Sequence, residues 1–311
     1  YDSFPDGDKS KKFFIRAFGC TMDGRSVSVN ICNYQPFFYL DLPELMKPHQ
    51  VSHVINHIKR LADDCGKGWH NKAISGWEIV QKKKLYGFTN GEFSKHIKII
   101  FNNSDSMNAI CRILLEGKSK SSQVGEVFSR PMMIPSISMK PIVFQLFESN
   151  LNPMLRYMHV LDIKPHSWIK IPAGSYIIPE NHTTSCMIDI FTRWDLVEPH
   201  DMQAMAPFIV ACFDIECTSK DGGFPQPERK EDEIIQIGTT IHRYGESEVS
   251  FKHMVTLKRS LPINGCTVEN YENEADLLMG WAKLINTLDP DIISGYNLFG
   301  FDMEYIWKRA E

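Results

Sequence analysis

Apolar and polar residues alternate in short stretches through the first 140 positions, a period-two pattern that is typical of half-buried β-strands. Two other stretches place their apolar residues at helical spacing. The predicted strands are 13–20, 26–34, 36–42, 74–87 and 96–101, and the predicted helices are 49–64 and 105–116, the second ended by Gly117. An Asp-Gly turn signal joins the first two strands into a hairpin. This order indicates a small β-rich module with helices packed on it.

The hydrophobic pattern is sharper from residue 208 onward. Three strands joined by short turns are followed by a helix with an unbroken apolar stripe, a fourth strand and the start of another helix. The predicted strands are 208–216, 233–242, 249–257 and 291–296, the predicted helix is 274–288, and the last helix begins near Phe301. Asn273 or Asn270 is the candidate N-cap of the long helix, and Asp289 and Pro290 end it.

A less regular region joins the two halves. Residues 140–204 combine a short predicted helix with β segments that Pro and Gly interrupt, and the composition changes again over 201–207. We therefore expect two domains, 1–204 and 205–311, with 140–204 as the connecting region of the first.

Connection lengths predict how the second domain folds. Short turns make its first three strands an antiparallel meander, whereas a crossover helix returns the fourth strand parallel to an earlier one, which we expect to be the first. This β-β-β-α-β-α order is that of a ribonuclease-H-like sheet. The expected fold class is mixed α/β (α+β), with a β-rich N-terminal domain followed by a truncated ribonuclease-H-like domain.

Two carboxylates end the first strand of that domain. Asp214 and Glu216 are one residue apart and therefore point to the same face of a strand, which a solvated strand face would explain by itself. Asp302, however, lies just past the fourth strand, in the first turn of the next helix. Because the carboxyl ends of neighbouring parallel strands open on one edge, we expect the three acids to converge.

Converging carboxylates without a basic residue in either motif repel one another. Hard divalent cations bound by oxygen ligands would resolve this repulsion. Two such ions about 4 Å apart support phosphodiester hydrolysis, because one activates water and the other stabilises the leaving 3′ oxygen. Asp214, Glu216 and Asp302 are therefore the predicted catalytic and metal-binding residues, and three unrelated surface acids are the alternative.

Charge and composition limit the other classes of function. The formal net charge is −4, so nucleic-acid binding would depend on local basic patches or on metal ions. Lys82, Lys83 and Lys84 form one such patch and are candidate phosphate contacts, although a charge run also protects a strand edge. No stretch is long enough to span a membrane, no secretory signal is evident, and the eight cysteines form no C-x-x-C pair. We expect a soluble intracellular chain with reduced thiols.

The acidic motifs also carry a resemblance. The stretch DIE at 214–216 and the stretch YNLFGFD at 296–302 resemble the first and second exonuclease motifs of family B DNA polymerases of the delta type, found in eukaryotes and large DNA viruses. The stretches FESNLNPMLRYM, SWIKIPAGSY, FPQPE and DLLMGWAKLINTLDPDIISGYN resemble the same family in the same order. The likeness is specific from about residue 140 to 311 and weaker before it.

This resemblance implies a 3′→5′ proofreading exonuclease that uses two Mg²⁺ ions, with Mn²⁺ as a substitute. Asp214 would bridge both metals, Glu216 would bind the metal that carries the attacking water, and Asp302 would hold the second metal. Asn297 and Phe301 would seat the unpaired 3′ nucleotide. The other interpretation of Phe301 is a core residue of the last helix.

The resemblance also implies features beyond residue 311, where the third exonuclease motif and the polymerase palm are expected. The chain alone would then have little or no nuclease activity, whereas the complete protein would have both activities. Its partners would be a DNA primer-template, a single-stranded 3′ end and a sliding clamp bound through the C-terminal part, in the nucleus or at a viral replication site. A free-standing exonuclease of the same fold and a non-catalytic nucleic-acid-binding module are the alternatives.

Overall fold

A computed structural model describes residues 12–44, 46–84, 90–116 and 126–311. The chain forms two compact units. The first contains the chain up to Ala17, Ser28–Thr183 and Asp189–Met202, and the second contains Phe18–Val27, Thr184–Ile188 and Gln203–Glu311. The main crossing from one unit to the other lies between Met202 and Gln203. The short segments Phe18–Val27 and Thr184–Ile188 also belong to the second unit, and the hydrophobic pattern does not mark their boundaries.

The first unit is built around a five-stranded sheet. The elements along this part of the chain are β1 (Ile15–Cys20), β2 (Ser26–Cys32), β3 (Phe37–Asp41), α1 (Val51–Asp64), β4 (Ile74–Lys83), β5 (Phe93–Phe101), α2 (Ser104–Leu114), β6 (Val127–Phe128) and β7 (Gln145–Phe147). The five predicted strands and two predicted helices are confirmed over the residues that the structure describes, whereas Gly117 and the last part of the fourth predicted strand, 85–87, lie outside them. The sheet order is β4-β5-β3-β7-β6, and its first four strands form a split β-α-β-β-α-β arrangement with α1 and α2.

The helix α1 buries the apolar stripe that predicts it. Val51, Val54 and Ile58 are fully buried, in one cluster with Leu40 of β3 and Ile97 of β5. Burial of an aliphatic side chain of this size contributes about 1.5–3 kcal/mol. The pattern that predicts the helix is therefore also the pattern that stabilises it.

Two smaller sheets use strands of the connecting region, and one of them also includes β1 and β2. Its elements are α3 (Pro153–Leu161), β8 (Trp168–Lys170), β9 (Tyr176–Ile177), β10 (Ile188–Arg193) and β11 (Glu198–His200). One sheet has the order β1-β2-β10-β9, and β11 pairs with β8. The buried Asp189 of β10 accepts hydrogen bonds from Asn30 Nδ2 at 2.7 Å and from Thr183, through its N–H at 2.6 Å and its hydroxyl at 2.7 Å. These bonds replace the water that a buried carboxylate loses.

The second unit contains a five-stranded mixed sheet. Its elements are β12 (Ile209–Cys217), β13 (Ile234–Arg243), β14 (Phe251–Leu257), β15 (Thr267–Tyr271), α4 (Glu274–Leu288), β16 (Ile292–Ser294) and α5 (Asp302–Ala310). Strands β12, β13 and β14 form an antiparallel meander. Strand β16 runs parallel to β12, with Ser294 opposite Cys212. The predicted meander and the predicted parallel return are confirmed.

One strand of this sheet has no counterpart among the predictions. Strand β15 pairs in parallel with β14 at the edge of the sheet. Three of the five side chains in its sequence TVENY are exposed, so it has no buried face to produce alternation. Backbone pairing with β14 forms this strand, and hydrophobic patterning does not detect such pairing.

The helix α4 packs on the face of this sheet that carries the core. The side chain of Asn273 accepts the N–H of Asp276 at 2.9 Å, which confirms this residue as the N-cap. The helix ends at Leu288, and the capping residue after it, Asp289, has a φ of 43° in the left-handed region. The rings of Trp281 and Phe213 lie 4.8 Å apart between centroids, so α4 is anchored against β12. No helix in the described ranges is long and apolar enough to cross a membrane.

Candidate active site

Strand β12 separates its apolar and acidic side chains between the two faces of the sheet. Phe213 and Ile215 are buried in the cluster that includes α4, whereas Asp214 and Glu216 are exposed. Alternation along a strand requires this arrangement. The two acids therefore lie side by side on the face opposite the core, at the carboxyl end of β12.

The first residue of α5 brings a third carboxylate to the same end of β12. Asp302 is only 2% exposed, and its Oδ1 accepts the backbone N–H of Ile215 at 3.3 Å. Ile215 lies between Asp214 and Glu216, so acids from two distant segments meet at one edge of the sheet. The parallel pairing of β16 with β12 leads the chain to this edge.

The surroundings of Asp302 disfavour its charge. Burial and the neighbouring charge of Asp214 raise the pKa of Asp302, although the N–H of Ile215 opposes the shift. The carboxylates of Asp214 and Asp302 therefore repel one another in the absence of a cation. A positive charge between them would relieve this repulsion.

The donor chemistry of these residues fits a hard divalent cation. Asp214, Glu216 and Asp302 supply carboxylate oxygens, which Mg²⁺ and Mn²⁺ prefer. In the part of the chain that the structure describes, no three His, Cys, Asp or Glu side chains are grouped closely enough to hold a metal ion. The structure thus brings Asp302 to Asp214, while a shared metal site for all three acids stays a prediction.

The turn between β16 and α5 depends on asparagine and glycine. Asn297 adopts a left-handed φ of 51°, which asparagine tolerates better than most residues. Its carbonyl accepts the N–H groups of Gly300 at 2.9 Å and Phe301 at 3.0 Å. A Cβ on Gly300 would lie 2.3 Å from the side-chain oxygen of Asn297. The exposed Asn297 lines a pocket of about 360 Å³ together with Phe299.

Phe301 contributes to the core and also contacts a residue that sequence reasoning missed. Its ring centroid lies 5.2 Å from that of Tyr305 in the core and 5.0 Å from that of Phe224. Phe224 is 68% exposed, in the Gly- and Pro-rich loop after β12. An aromatic residue within a polar loop of this kind is the signal that could have singled it out. Contact of Phe301 with DNA stays a prediction.

The three candidate phosphate contacts belong to the first unit. Lys82 and Lys83 are exposed at the end of β4, and Lys83 Nζ lies 5.0 Å from the ring centroid of Phe93. Lys84 instead donates to Gln145 Oε1 at 3.2 Å. Two of the three lysines therefore face solvent, and the third is engaged within its own sheet.

Comparison with known proteins decides the family. The family model described as DNA polymerase family B, exonuclease domain, matches residues 144–311, which is more than half of the chain. The chain belongs to the family B DNA polymerases. The resemblance expected from its two acidic motifs is confirmed.

Relatives of this family B polymerase chain occur in viruses and in cells. It is 34% identical to a DNA polymerase of Acanthamoeba polyphaga mimivirus, an alignment that covers 98% of the chain and 17% of that protein. It is 33% identical to the DNA polymerase delta catalytic subunit of Bos taurus, over 96% of the chain and 26% of that protein. The chain therefore spans about a sixth to a quarter of the length of these relatives.

The fold of this family B polymerase chain also matches a solved structure. The family B DNA polymerase of the hyperthermophilic archaeon Pyrobaculum calidifontis aligns with a TM-score of 0.61 over 97% of this chain and 30% of that one. The sequences are 17% identical, so this likeness concerns the fold alone.

Proposed function

We propose that the chain supplies the N-terminal domain (1–204) and most of the 3′→5′ proofreading exonuclease site (205–311) of a replicative DNA polymerase. The observation that carries this proposal is the hydrogen bond from Ile215 N–H to Asp302, because it joins the two acidic motifs at one edge of the sheet. Family membership supports the same assignment.

Asp214, Glu216 and Asp302 would hold two Mg²⁺ ions, or Mn²⁺ in their place. Asp214 would contact both ions, Glu216 the ion beside the attacking water, and Asp302 the other. When bound, the ions supply the positive charge that activates water and stabilises the leaving 3′ oxygen. The chain itself contributes the rigid strand and helix start that orient the three carboxylates.

The substrate would be the unpaired 3′ end of a DNA strand. Phe224 and Phe301 offer neighbouring aromatic rings on which terminal bases stack, an interaction worth about 1–3 kcal/mol per base. The Asn297 amide would hydrogen-bond the terminal nucleotide. Lys82 and Lys83 are proposed as phosphate contacts elsewhere on the DNA, where they would add affinity without sequence preference.

The complete protein would be a DNA-directed DNA polymerase whose palm and third exonuclease motif come from outside residues 1–311. Its partners would be a primer-template and a sliding clamp. It would act inside the cell, in the nucleus or at a viral replication site. The viral and delta-type relatives support these proposals.

The test is a double substitution in the complete polymerase. Asp214→Ala with Glu216→Ala should lower mismatch excision at least about a thousandfold, because it removes several kcal/mol of transition-state stabilisation. Primer extension should stay within about twofold of wild type, since a separate site would carry it. Glu248→Ala, which removes an exposed acid between β13 and β14, is the matched control.

Loss of extension together with excision would show that these acids do something other than proofread. Wild-type excision by the double variant would contradict the nuclease assignment. If the wild-type polymerase shows no measurable excision and the double substitution weakens DNA binding, the result would instead support the non-catalytic binding module.

A further inference from the structure

The loop that carries Phe224 is closed on itself. We call residues Thr218–Glu233 the Phe224 loop. Its two ends are joined by backbone and side-chain bonds, with Thr218 N–H donating to the Glu233 carbonyl at 2.9 Å and Glu233 N–H donating to the Thr218 hydroxyl at 2.8 Å. Compact loops whose ends meet in this way hold a defined shape.

A buried carboxylate closes the inside of the Phe224 loop. The Asp232 side chain is 0% exposed and accepts the N–H groups of Lys220 and Gln226, each at 2.8 Å. These two bonds hold the pKa of Asp232 below its ordinary value, with the Gln226 N–H as the larger cause. The segment between Lys220 and Gln226 that presents Phe224 is therefore tied at both of its ends.

The helix that starts with Asp302 also holds this loop from outside. The Tyr305 hydroxyl donates to the Asp232 carbonyl at 2.8 Å. Two turns beyond Asp302, the Arg309 guanidinium donates to the carbonyls of Pro227 at 3.1 Å and Arg229 at 2.9 Å. The helix α5 therefore contributes a carboxylate at its first residue and a loop anchor at its last turn.

Arg309 is itself held by an ion pair that solvent hardly reaches. Its guanidinium pairs with the Glu274 carboxylate at the start of α4, and the two side chains are only 12% and 11% exposed. The hydrogen bond to Glu274 raises the pKa of Arg309. Glu274 also accepts the N–H of Ile234 at 2.8 Å, where β13 begins. The planar guanidinium fork makes these bonds at once, which a lysine would not reproduce.

We infer that Arg309, Glu274 and Asp232 are positioning residues for Phe224, and that the Phe224 loop is a preorganised platform for the 3′-terminal nucleobases. This inference rests on the proposed exonuclease function. If the loop is already ordered before DNA binds, no free energy is lost in ordering it on binding. Its anchors should therefore increase the affinity for the 3′ end. Among the described residues, no hydrogen bond or ion pair joins Arg309, Glu274 or Asp232 to the three carboxylates, so we expect loss of an anchor to change KM rather than kcat.

The experiment compares Arg309→Gln, Phe224→Ala and the combination of both in the complete polymerase. Excision of a single-stranded oligonucleotide is measured at saturating Mg²⁺ to give kcat and KM separately. Each single variant should raise KM about tenfold with kcat within about twofold of wild type. The combined variant should bind no worse than Phe224→Ala alone, because Arg309 acts through Phe224.

Lys308→Gln is the matched control. It removes the same charge from the adjacent position, where Lys308 also reaches the Phe224 loop through Glu228 at 2.9 Å and pairs with Glu304 at 3.0 Å, but stays 39% exposed. Exposed pairs of this kind contribute little, so its KM should stay within about twofold of wild type.

Removing Arg309 alone leaves the Glu274 carboxylate unpaired, which itself destabilises a fold. If Arg309→Gln also abolishes primer extension, the pair Arg309→Gln with Glu274→Gln replaces it, with the same KM increase expected. Additive KM increases in the combination with Phe224→Ala, or a fall in kcat at unchanged KM, would overturn the inference. An unchanged KM in Phe224→Ala would instead overturn the proposed stacking role.

Discussion

Gly295 shows how closely the two acidic segments must approach. It directly follows β16, and a Cβ built on it would lie 2.7 Å from the carbonyl oxygen of Phe213 and 3.0 Å from a methyl group of Leu298. Its φ lies outside the left-handed region, so alanine could adopt the same backbone conformation. Only the lack of space opposes a side chain. Gly295→Ala should therefore push β16 and the following turn away from β12.

The size of this displacement follows from the contact distance. An ordinary van der Waals contact begins near 3.4 Å, so the two backbones must separate by about 0.7 Å. Overpacking of this kind costs about 1–3 kcal/mol in the free energy of unfolding. Asp214 follows Phe213 and Asp302 follows the turn, so the same movement separates the two carboxylates. Because a misplacement of about 1 Å can cost about a hundredfold in rate, we expect the excision activity proposed above to fall about 10- to 100-fold.

Single-turnover excision of a mismatched 3′ nucleotide by the complete polymerase measures this effect, with primer extension in the same preparation as the internal reference. Gly76→Ala is the control, because nothing lies within 4 Å of the added Cβ. Wild-type excision by Gly295→Ala would refute the reasoning. It would mean that β12 and β16 accommodate the methyl group without moving the carboxylates apart.

Two further predictions concern stability. Alanine favours a helix over glycine by about 1 kcal/mol, yet Gly280→Ala should destabilise the chain in urea unfolding, because its Cβ would lie 2.2 Å from the Tyr271 hydroxyl oxygen. In a Tyr271→Ala background the same change should stabilise, and stabilisation in both backgrounds would contradict this account. Burial alone would raise the pKa of Asp189, but the hydrogen bonds from Thr183 and Asn30 outweigh it and hold that pKa below its usual value. The stability from Asp189 is therefore fully present above its unfolded pKa of about 3.9 and is lost as pH falls through the lower folded pKa. Between pH 7 and pH 2, the thermal unfolding temperature should fall further for wild type than for Asp189→Asn. Equal decreases for the two proteins would argue against this role.

Local sequence patterns are sufficient to predict an element when the side chains that form the pattern are also the ones that become buried. The stripes of α1 and α4 are visible in the sequence because the same side chains form the core, and Asn273 is detectable as a cap because it bonds within its own helix. Strand β15 has no such signal, because its pairing with β14 uses backbone atoms and leaves most of its side chains exposed. Patterning therefore predicts the interior of this fold better than its edge.

The sequence by itself determined that Asp214 and Glu216 share one face, because the two-residue period of a strand is a local property. The lengths of the connections and the order of the motifs were also enough to predict that Asp302 comes back to that strand. Only the tertiary structure decided that Asp302 bonds to the N–H of Ile215 and that Phe224 meets Phe301. These contacts depend on sheet register and on how a closed loop packs against a distant helix, and no local period encodes either of them.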